Sequence, residues 1–330
     1  RAMRLKLVPD DTAIRFMAMR RVSLAVSAAL MALSLVALLA LGLNFGIDFR
    51  GGTMIMAETA EEAPVSVGAW RDALAQVDVG DVSVTGVSDP AAELTGGARD
   101  AVMIRIEQGG DDPEIRTDAI ERVEAALREA FPSLNILSVE SVGAKVSGEL
   151  VQAGALAVVL AVLAVLVYIW LRFEWQFALG AVAALVHDVV ITMGVFAVTR
   201  LEFNLSIVAA LLTIVGYSLN DTVVVYDRIR ENLRRFKTRP LEEVLDLSVN
   251  ETLSRTVMTS ATTLVALIAL YVLGGEVIRG FTFGMIFGVV IGTYSSVFIA
   301  AIALLRLGVE RDAGESESGP GVKFGAPDAP

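Results

Sequence analysis

The chain has 330 residues, 55% of them apolar, a composition far from that of a soluble domain and close to that of a polytopic membrane protein. With no cysteine and one histidine it can build neither disulfides nor a thiolate metal centre, and without a dense His/Asp/Glu group neither a catalytic metal nor any other cofactor is expected. The net charge of −11 is concentrated: residues 44–150 hold 20 acidic and 8 basic side chains, so the rest of the chain is near neutral and its basic residues flank apolar runs instead of forming a nucleic-acid surface.

Residues 1–21 are a polar, basic segment, with Met3 expected as the natural start. Residues 22–43 form the first apolar run, long enough to cross a bilayer, which takes about 20 helical residues. Arg20 and Arg21 precede it as in a signal peptide, but the run exceeds the roughly 7–15 residues of a secretory apolar core, so it reads as an uncleaved anchor.

Residues 44–149 read as an inserted α+β domain. Thr53–Glu58 has strand character, Val65–Val77 helical character with Pro64 near its start, and Val82–Val87 the alternation of a half-buried strand. Gly96 and Gly97 mark a loop. Val102, Ile104 and Ile106 alternate again, and Glu114–Ala130 is an amphipathic helix with Ile115, Ala119, Ile120, Val123 and Leu127 on one stripe. Phe131-Pro132 ends it, and Leu134–Val142 is a last strand. The order βαββαβ is the split ferredoxin-like arrangement.

Five more apolar runs follow within 150–305: Leu150–Leu171, Phe177–Thr199, Leu205–Tyr226, Val257–Leu273 and Phe281–Leu305. The chain is therefore expected to be an α-helical polytopic membrane protein with six spans. Residues 227–254 form a basic loop, within which 240–253 reads as a separate interfacial helix. Residues 306–330, rich in Gly, Ser, Pro and acids from Glu310, read as a disordered tail. Arg4, Lys6, Arg15, Arg20 and Arg21 before the first span, and Arg228, Arg230, Arg234, Arg235, Lys237 and Arg239 after the fourth, place both segments and both termini in the cytoplasm, and residues 44–149 outside.

Charge inside the spans is costly and marks candidate functional positions. Asp221 lies deep in the fourth span, flanked by Ser218 and Asn220, and Arg255 opens the fifth at similar depth. A carboxylate paired with a guanidinium favours its charged form and an isolated buried one its protonated form, so an Asp221 that alternates between the two can relay protons. The same pair can equally be a static ion pair that fixes helix register. His187 and Asp188 sit mid-way in the third span as further candidates; adjacent helical residues diverge by about 100°, so they are not expected to reach one site together. Thr256, Ser260 and Thr263 share a face of the fifth span, as a wet path or as packing glue. Gly284, Gly288 and Gly292 form a small-residue face for close helix packing. At the junction of the first span and the domain, Asp48 and Arg50 with Gly51 and Gly52 are expected to act as a structural hinge.

These residues lie in stretches that resemble the SecD/SecF family of protein-export membrane proteins: Gly46-Ile47-Asp48-Phe49-Arg50-Gly51-Gly52-Thr53, Gly216-Tyr217-Ser218-Leu219-Asn220-Asp221, Ser248-Val249-Asn250-Glu251-Thr252-Leu253-Ser254-Arg255-Thr256 and Gly292-Thr293-Tyr294-Ser295-Ser296. The resemblance covers all but the tail. It implies a six-helix half of an RND-type transporter in the bacterial inner membrane, paired with a homologous SecD subunit. It further implies use of the proton motive force to help export unfolded preproteins delivered through SecYEG, with YajC as a further partner. Asp221 and Arg255 match the family's proton path. A small-solute RND exporter subunit is the alternative. An enzyme is not expected: Tyr226-Asp227 superficially looks like an intramembrane protease pair but lacks its partner motif, and His187 has no nucleophile elbow.

Overall fold

The computed structural model describes residues 9, 12–59, 65–87, 101–107 and 112–309; the expectations for Met3, Arg4, Lys6, Pro64, the Gly96-Gly97 loop and the tail from Glu310 lie outside them. Six helices are long and apolar enough to cross a membrane. The first is α1, Arg20–Ala40, entered through a 3₁₀ turn at Met17–Met19. A two-residue strand β1, Asn44–Phe45, and a single helical turn α2, Ile47–Arg50, then lead into the inserted α+β domain.

Among the described residues that domain contains β2 (Gly52–Thr59), α3 (Val67–Leu74), β3 (Asp81–Val87), β4 (Ala101–Glu107), α4 (Pro113–Ala130) and β5 (Leu134–Val142). The predicted βαββαβ order is the one observed, in an antiparallel sheet of order β3-β4-β2-β5. Alternation decides the packing. Val102, Ile104 and Ile106 of β4 are buried, together with Ile55 and Ala57 of β2 across a bulge at Met56/Ala57. Against them α3 sets Trp70 and Leu74, and α4 sets Ala119, Val123 and Leu127. Trp70 stacks at a tilt on Phe131, 4.5 Å between ring centres. Ser66 caps α3 by accepting from Ala69 N, and Asp112 caps α4 by accepting from Glu114 N, with Pro113 at the first helical position.

The chain re-enters the apolar bundle through α5 (Ala144–Arg172), turns into α6 (Trp175–Thr199), and crosses by β6 (Glu202–Phe203) to α7 (Leu205–Arg235). β6 pairs in parallel with β1, which closes the external end of the bundle. The fifth span, α8, runs unbroken from Leu241 to Leu273. The separate helix expected over 240–253 is thus the first three turns of the span itself. Pro240 stands just before its start, and no helix breaker interrupts 241–273. The basic segment expected as a loop over 227–254 is reduced to 236–240, because α7 also continues to Arg235. The last span is α9 (Glu276–Ser295), a π-helical stretch at Ser296–Ala300, and α10 (Ala301–Leu307).

Burial separates two kinds of span. α6, α7 and the last span are half or more buried within their apolar windows, whereas none of the α5 window and little of the α8 window is. The former build the centre and the latter face outward, which is why the two buried carboxylates below come from α6 and α7.

Replacing Trp70 with Ala removes the largest fully buried side chain of the chain and is expected to destabilise the external domain by roughly 3–5 kcal/mol. Hydrogen exchange of the full-length protein checks this: β2 and β4 amides should lose protection while the α6 and α7 amides keep theirs.

Candidate functional site

Asp188, half-way along α6, is wholly buried among helices. Burying a carboxylate without compensation is expensive, so its surroundings must supply donors. Three converge on it. Ser218 Oγ from α7 and Ser295 Oγ from α9 each donate to Oδ2 at 2.7 Å, and His187 Nδ1 lies 3.0 Å from Oδ1. The expectation that His187 and Asp188 diverge is therefore corrected. Nδ1 and Oδ1 are each only two bonds from their Cβ, so both side chains fold into the gap between adjacent positions despite the 100° separation.

The glycine face of α9 makes this convergence possible. A Cβ on Gly292 would stand 3.1 Å from Ser218 Cβ and 3.6 Å from Asp188 Oδ2, and one on Gly288 would run into Ile214. Gly284 faces Phe196 and Ala210. The three glycines thus seat α9 on α7 and α6 of the same chain. Beyond Asp188 the polar contacts continue to α1: the His187 ring stacks on Tyr294, whose hydroxyl donates to Ser23 O at 2.9 Å and lies 3.0 Å from Ser27 Oγ. The belt crosses four spans in the middle of an apolar bundle. His187 Nε2, at its centre, is buried without a hydrogen-bond partner among the described residues.

Asp221 sits three residues after Ser218 on α7, about 4.5 Å further along the axis, and is 3% exposed. It is provisioned differently from Asp188. Its Oδ2 has no hydrogen-bond partner among the described residues, and neither have the neighbouring Thr222 and Thr256 hydroxyls. The Thr259 hydroxyl and the Arg255 charge act on the carboxylate from α8, yet among the described residues no ion pair within 4.0 Å joins Asp221 to Arg255. Arg255 is exposed on the outer face of the bundle, and so is Asn220, which points away from the buried carboxylate it neighbours in sequence. The polar face of α8 divides: Ser260 shares a 2.6 Å hydrogen bond with Thr293 of α9, Thr263 accepts from the Tyr217 hydroxyl at 3.4 Å, and the Thr256 hydroxyl is buried without a hydrogen-bond partner among the described residues.

Asp48 holds the start of the same helix. Asp48 Oδ2 accepts from Leu205 N at 2.8 Å and so caps the start of α7 from 157 positions away, beside the local cap from Asn204 to Ile207 N. Gly51 and Gly52 adopt φ of +77° and +116°, and a Cβ on Gly52 would collide with Ile106 O, so this turn tolerates only glycine. Arg50 makes an exposed ion pair with Glu107. A more buried pair, Arg105 with Glu202 at 2.8 Å, ties strand β4 of the domain to β6 of the bundle. Sequence reasoning missed this pair, the capping role of Asp48, and Ser295. Only Ser295 had left a local signal, the polar Thr-Tyr-Ser-Ser run in an apolar span.

Among the described residues no group of three or more His, Cys, Asp or Glu is placed to hold a metal. What the arrangement offers is one carboxylate with three hydrogen-bond contacts and one incompletely partnered carboxylate, on either side of a single helical turn.

Residues 122–310 match the family model described as "Protein export membrane protein SecD/SecF, C-terminal", and residues 36–55 match the "SecD/SecF GG Motif". The chain belongs to the SecD/SecF family. A protein translocase subunit SecF of Cereibacter sphaeroides is 54% identical over 99% of this chain and all of its own length. A SecDF of Brucella abortus is 43% identical over 95% of this chain but only 40% of its own. The crystal structure of SecDF from Thermus thermophilus, titled a translocon-associated membrane protein, superposes with a TM-score of 0.78 at 33% identity over 91% of this chain and 39% of that one. The chain thus spans about two fifths of the fused SecDF proteins. The family's GG motif contains the Gly51-Gly52 turn and the Asp48 cap, and its C-terminal model spans both buried carboxylates.

Ser218→Ala and Ser295→Ala each remove one charge-assisted hydrogen bond from Asp188 and are expected to cost about 1.5–3 kcal/mol apiece. Detergent-solubilised unfolding checks this, with a coupling between the two substitutions because they share one oxygen.

Proposed function

We propose that this chain is a subunit of a bacterial inner-membrane complex that assists protein translocation, that it pairs with a SecD-type six-helix subunit, and that proton passage through Asp221 drives the work. The observation that carries the proton reading is the buried, incompletely partnered Asp221 on a helix whose external end is capped by the domain hinge. The fused relatives support the pairing, because there the two halves are one polypeptide. The names of the relatives support the translocation role. SecYEG, YajC and an unfolded preprotein are the further partners of this reading. Both termini are cytoplasmic in it, and residues 44–149 are external.

In the proposed cycle Asp221 takes up a proton from the external side and releases it inward when Arg255 comes within pairing distance. Arg255 is exposed and needs a conformational change to pair with it. Asp188, saturated by three donors, is the fixed point against which α7 moves. Asn220 faces outward toward the SecD-type partner, and Ser218 links the fixed site to the mobile one. Movement of α7 is transmitted to the domain through Asp48 and through the Arg105–Glu202 pair. Two domain orientations with different affinity for an emerging polypeptide then bias its transit.

Proton conductance and preprotein export in vesicles holding this chain with a SecD-type partner test the reading. Asp221→Asn should abolish both; retention of both sinks the proton role and leaves Asp221 structural. Asp48→Ala, which removes only a helix cap costing about 0.5–2 kcal/mol, should keep conductance and lose most export. If both activities survive that change, α7 is not coupled to the domain through Asp48.

A further inference from the structure

A second feature lies at the opposite end of the bundle and plays no part in that cycle. Helix α5 starts beside the external domain at Ala144, so its last residue, Arg172, marks the far membrane surface. There the ends of α5 and α7 enclose a cleft of about 450 Å³ lined only by charged side chains: Arg172, Asp227, Arg230, Glu231, Arg234 and Arg235. Four guanidiniums face two carboxylates, and both carboxylates are engaged. Asp227 pairs with Arg172 at 3.2 Å and Glu231 with Arg228 at 2.6 Å. Arg230 donates to the Arg172 carbonyl at 3.3 Å, and Arg235 lies over the Phe236 ring at 5.2 Å and within electrostatic reach of Glu251. Among the described residues no carboxylate lies within ion-pair distance of Arg230, Arg234 or Arg235.

The last turns of α5 that lead up to Arg172 are apolar and bare. Val167, Tyr168, Trp170 and Leu171 on the last turns of α5 are 48%, 52%, 62% and 83% exposed. Aromatic side chains at this depth are those of a membrane interface. A ligand that satisfies both parts must carry phosphate at one end and hydrocarbon at the other. Guanidinium forks match phosphate oxygens two at a time, and basic clefts between spans at a membrane surface are suited to phospholipid headgroups.

We propose that this cleft is a binding site for an anionic phospholipid, with its phosphate held by Arg230, Arg234 and Arg235 and its acyl chains laid along Val167–Leu171. The excess of two positive charges selects a headgroup with two phosphates over one with a single phosphate.

The test uses native mass spectrometry of the full chain released from phosphatidylcholine nanodiscs doped with cardiolipin or, separately, phosphatidylglycerol. Cardiolipin should be retained at least tenfold more than phosphatidylcholine, with phosphatidylglycerol between them. The combined change Arg230→Gln, Arg234→Gln and Arg235→Gln should bring cardiolipin down to the phosphatidylcholine level. Lys237→Gln with Arg239→Gln, which removes nearby positive charge outside the cleft, should leave it bound. Equal loss in both variants overturns the site in favour of diffuse surface attraction. Full displacement of cardiolipin by millimolar inorganic phosphate, with no displacement by chloride at the same ionic strength, assigns the cleft to free phosphate and overturns the lipid. Should the triple variant not fold, Arg234→Gln alone, at an exposed position, is expected to lower retention about threefold, and unchanged retention refutes the proposal.

Discussion

The bundle is organised around one buried carboxylate. A charge among membrane helices, far from water, is tolerated only where donors are already in place. Asp188 has three, brought by α6, α7 and α9. This requirement explains several otherwise separate features. Gly292 has no side chain because Ser218 and Asp188 occupy that space, and Gly288 has none because Ile214 does. The π-helical stretch begins directly after Ser295, so the local change in winding of the last span starts where its hydroxyl is committed to Asp188. Insertions of this kind in membrane helices often accompany functional positions.

The contrast with Asp221 follows from the same physics. Both carboxylates are buried, both lie on central helices, and Ser218 stands next to each. Asp188 has its acceptors filled from three directions and therefore has a strong preference for its present geometry. Among the described residues Asp221 leaves one oxygen unpartnered, and Arg255, whose charge acts on it, is exposed on α8. A group with unmet hydrogen-bonding capacity gains more from rearrangement than a saturated one. Ser218 is the element shared between them: rotation of α7 that improves the surroundings of Asp221 strains the bonds to Asp188. The two carboxylates are therefore mechanically linked through one helix.

Local patterns in the sequence were sufficient for the spans and for the βαββαβ order, since each is written in residues a few positions apart. Helix length and apolarity define α1 and α5 to α9 without help from neighbours. Alternation in Val102, Ile104 and Ile106 defines β4 and also its buried face. The misreadings have a common origin. A basic, polar stretch was taken to be a loop over 227–254, yet helix continues through most of it because nothing in Asp227–Arg235 or Leu241–Arg255 breaks a helix, and polarity marks the membrane boundary instead of the helix boundary. His187 and Asp188 were separated by a rule about backbone direction that short side chains circumvent. The capping role of Asp48 was not legible, because its partner, Leu205 N, is 157 positions away and is a backbone group that carries no sequence signal at all. Arg105 and Glu202 were likewise two ordinary charges until folding brought them together.

These long-range contacts also fix how the inserted domain joins the bundle. The turn at Gly51-Gly52 fixes the entry of β2, because Gly52 is pressed against Ile106 O and both glycines hold positive φ. Free swivelling at that point is therefore not available, despite the two glycines. The domain meets the bundle instead at fixed polar contacts: Asp48 on the first turn of α7, Arg105 on Glu202, and the β1–β6 pair. All of them engage β6 or the start of α7, which is the helix that carries both Ser218 and Asp221. A displacement of α7 along or about its axis must then either break these contacts or carry the domain with it. The Arg105–Glu202 pair is mostly shielded from solvent, and breaking it would strand two charges, so carrying the domain is the lower-energy course. A displacement of α7 therefore reaches the domain through the rigidity of the junction, more than through any looseness at the glycines.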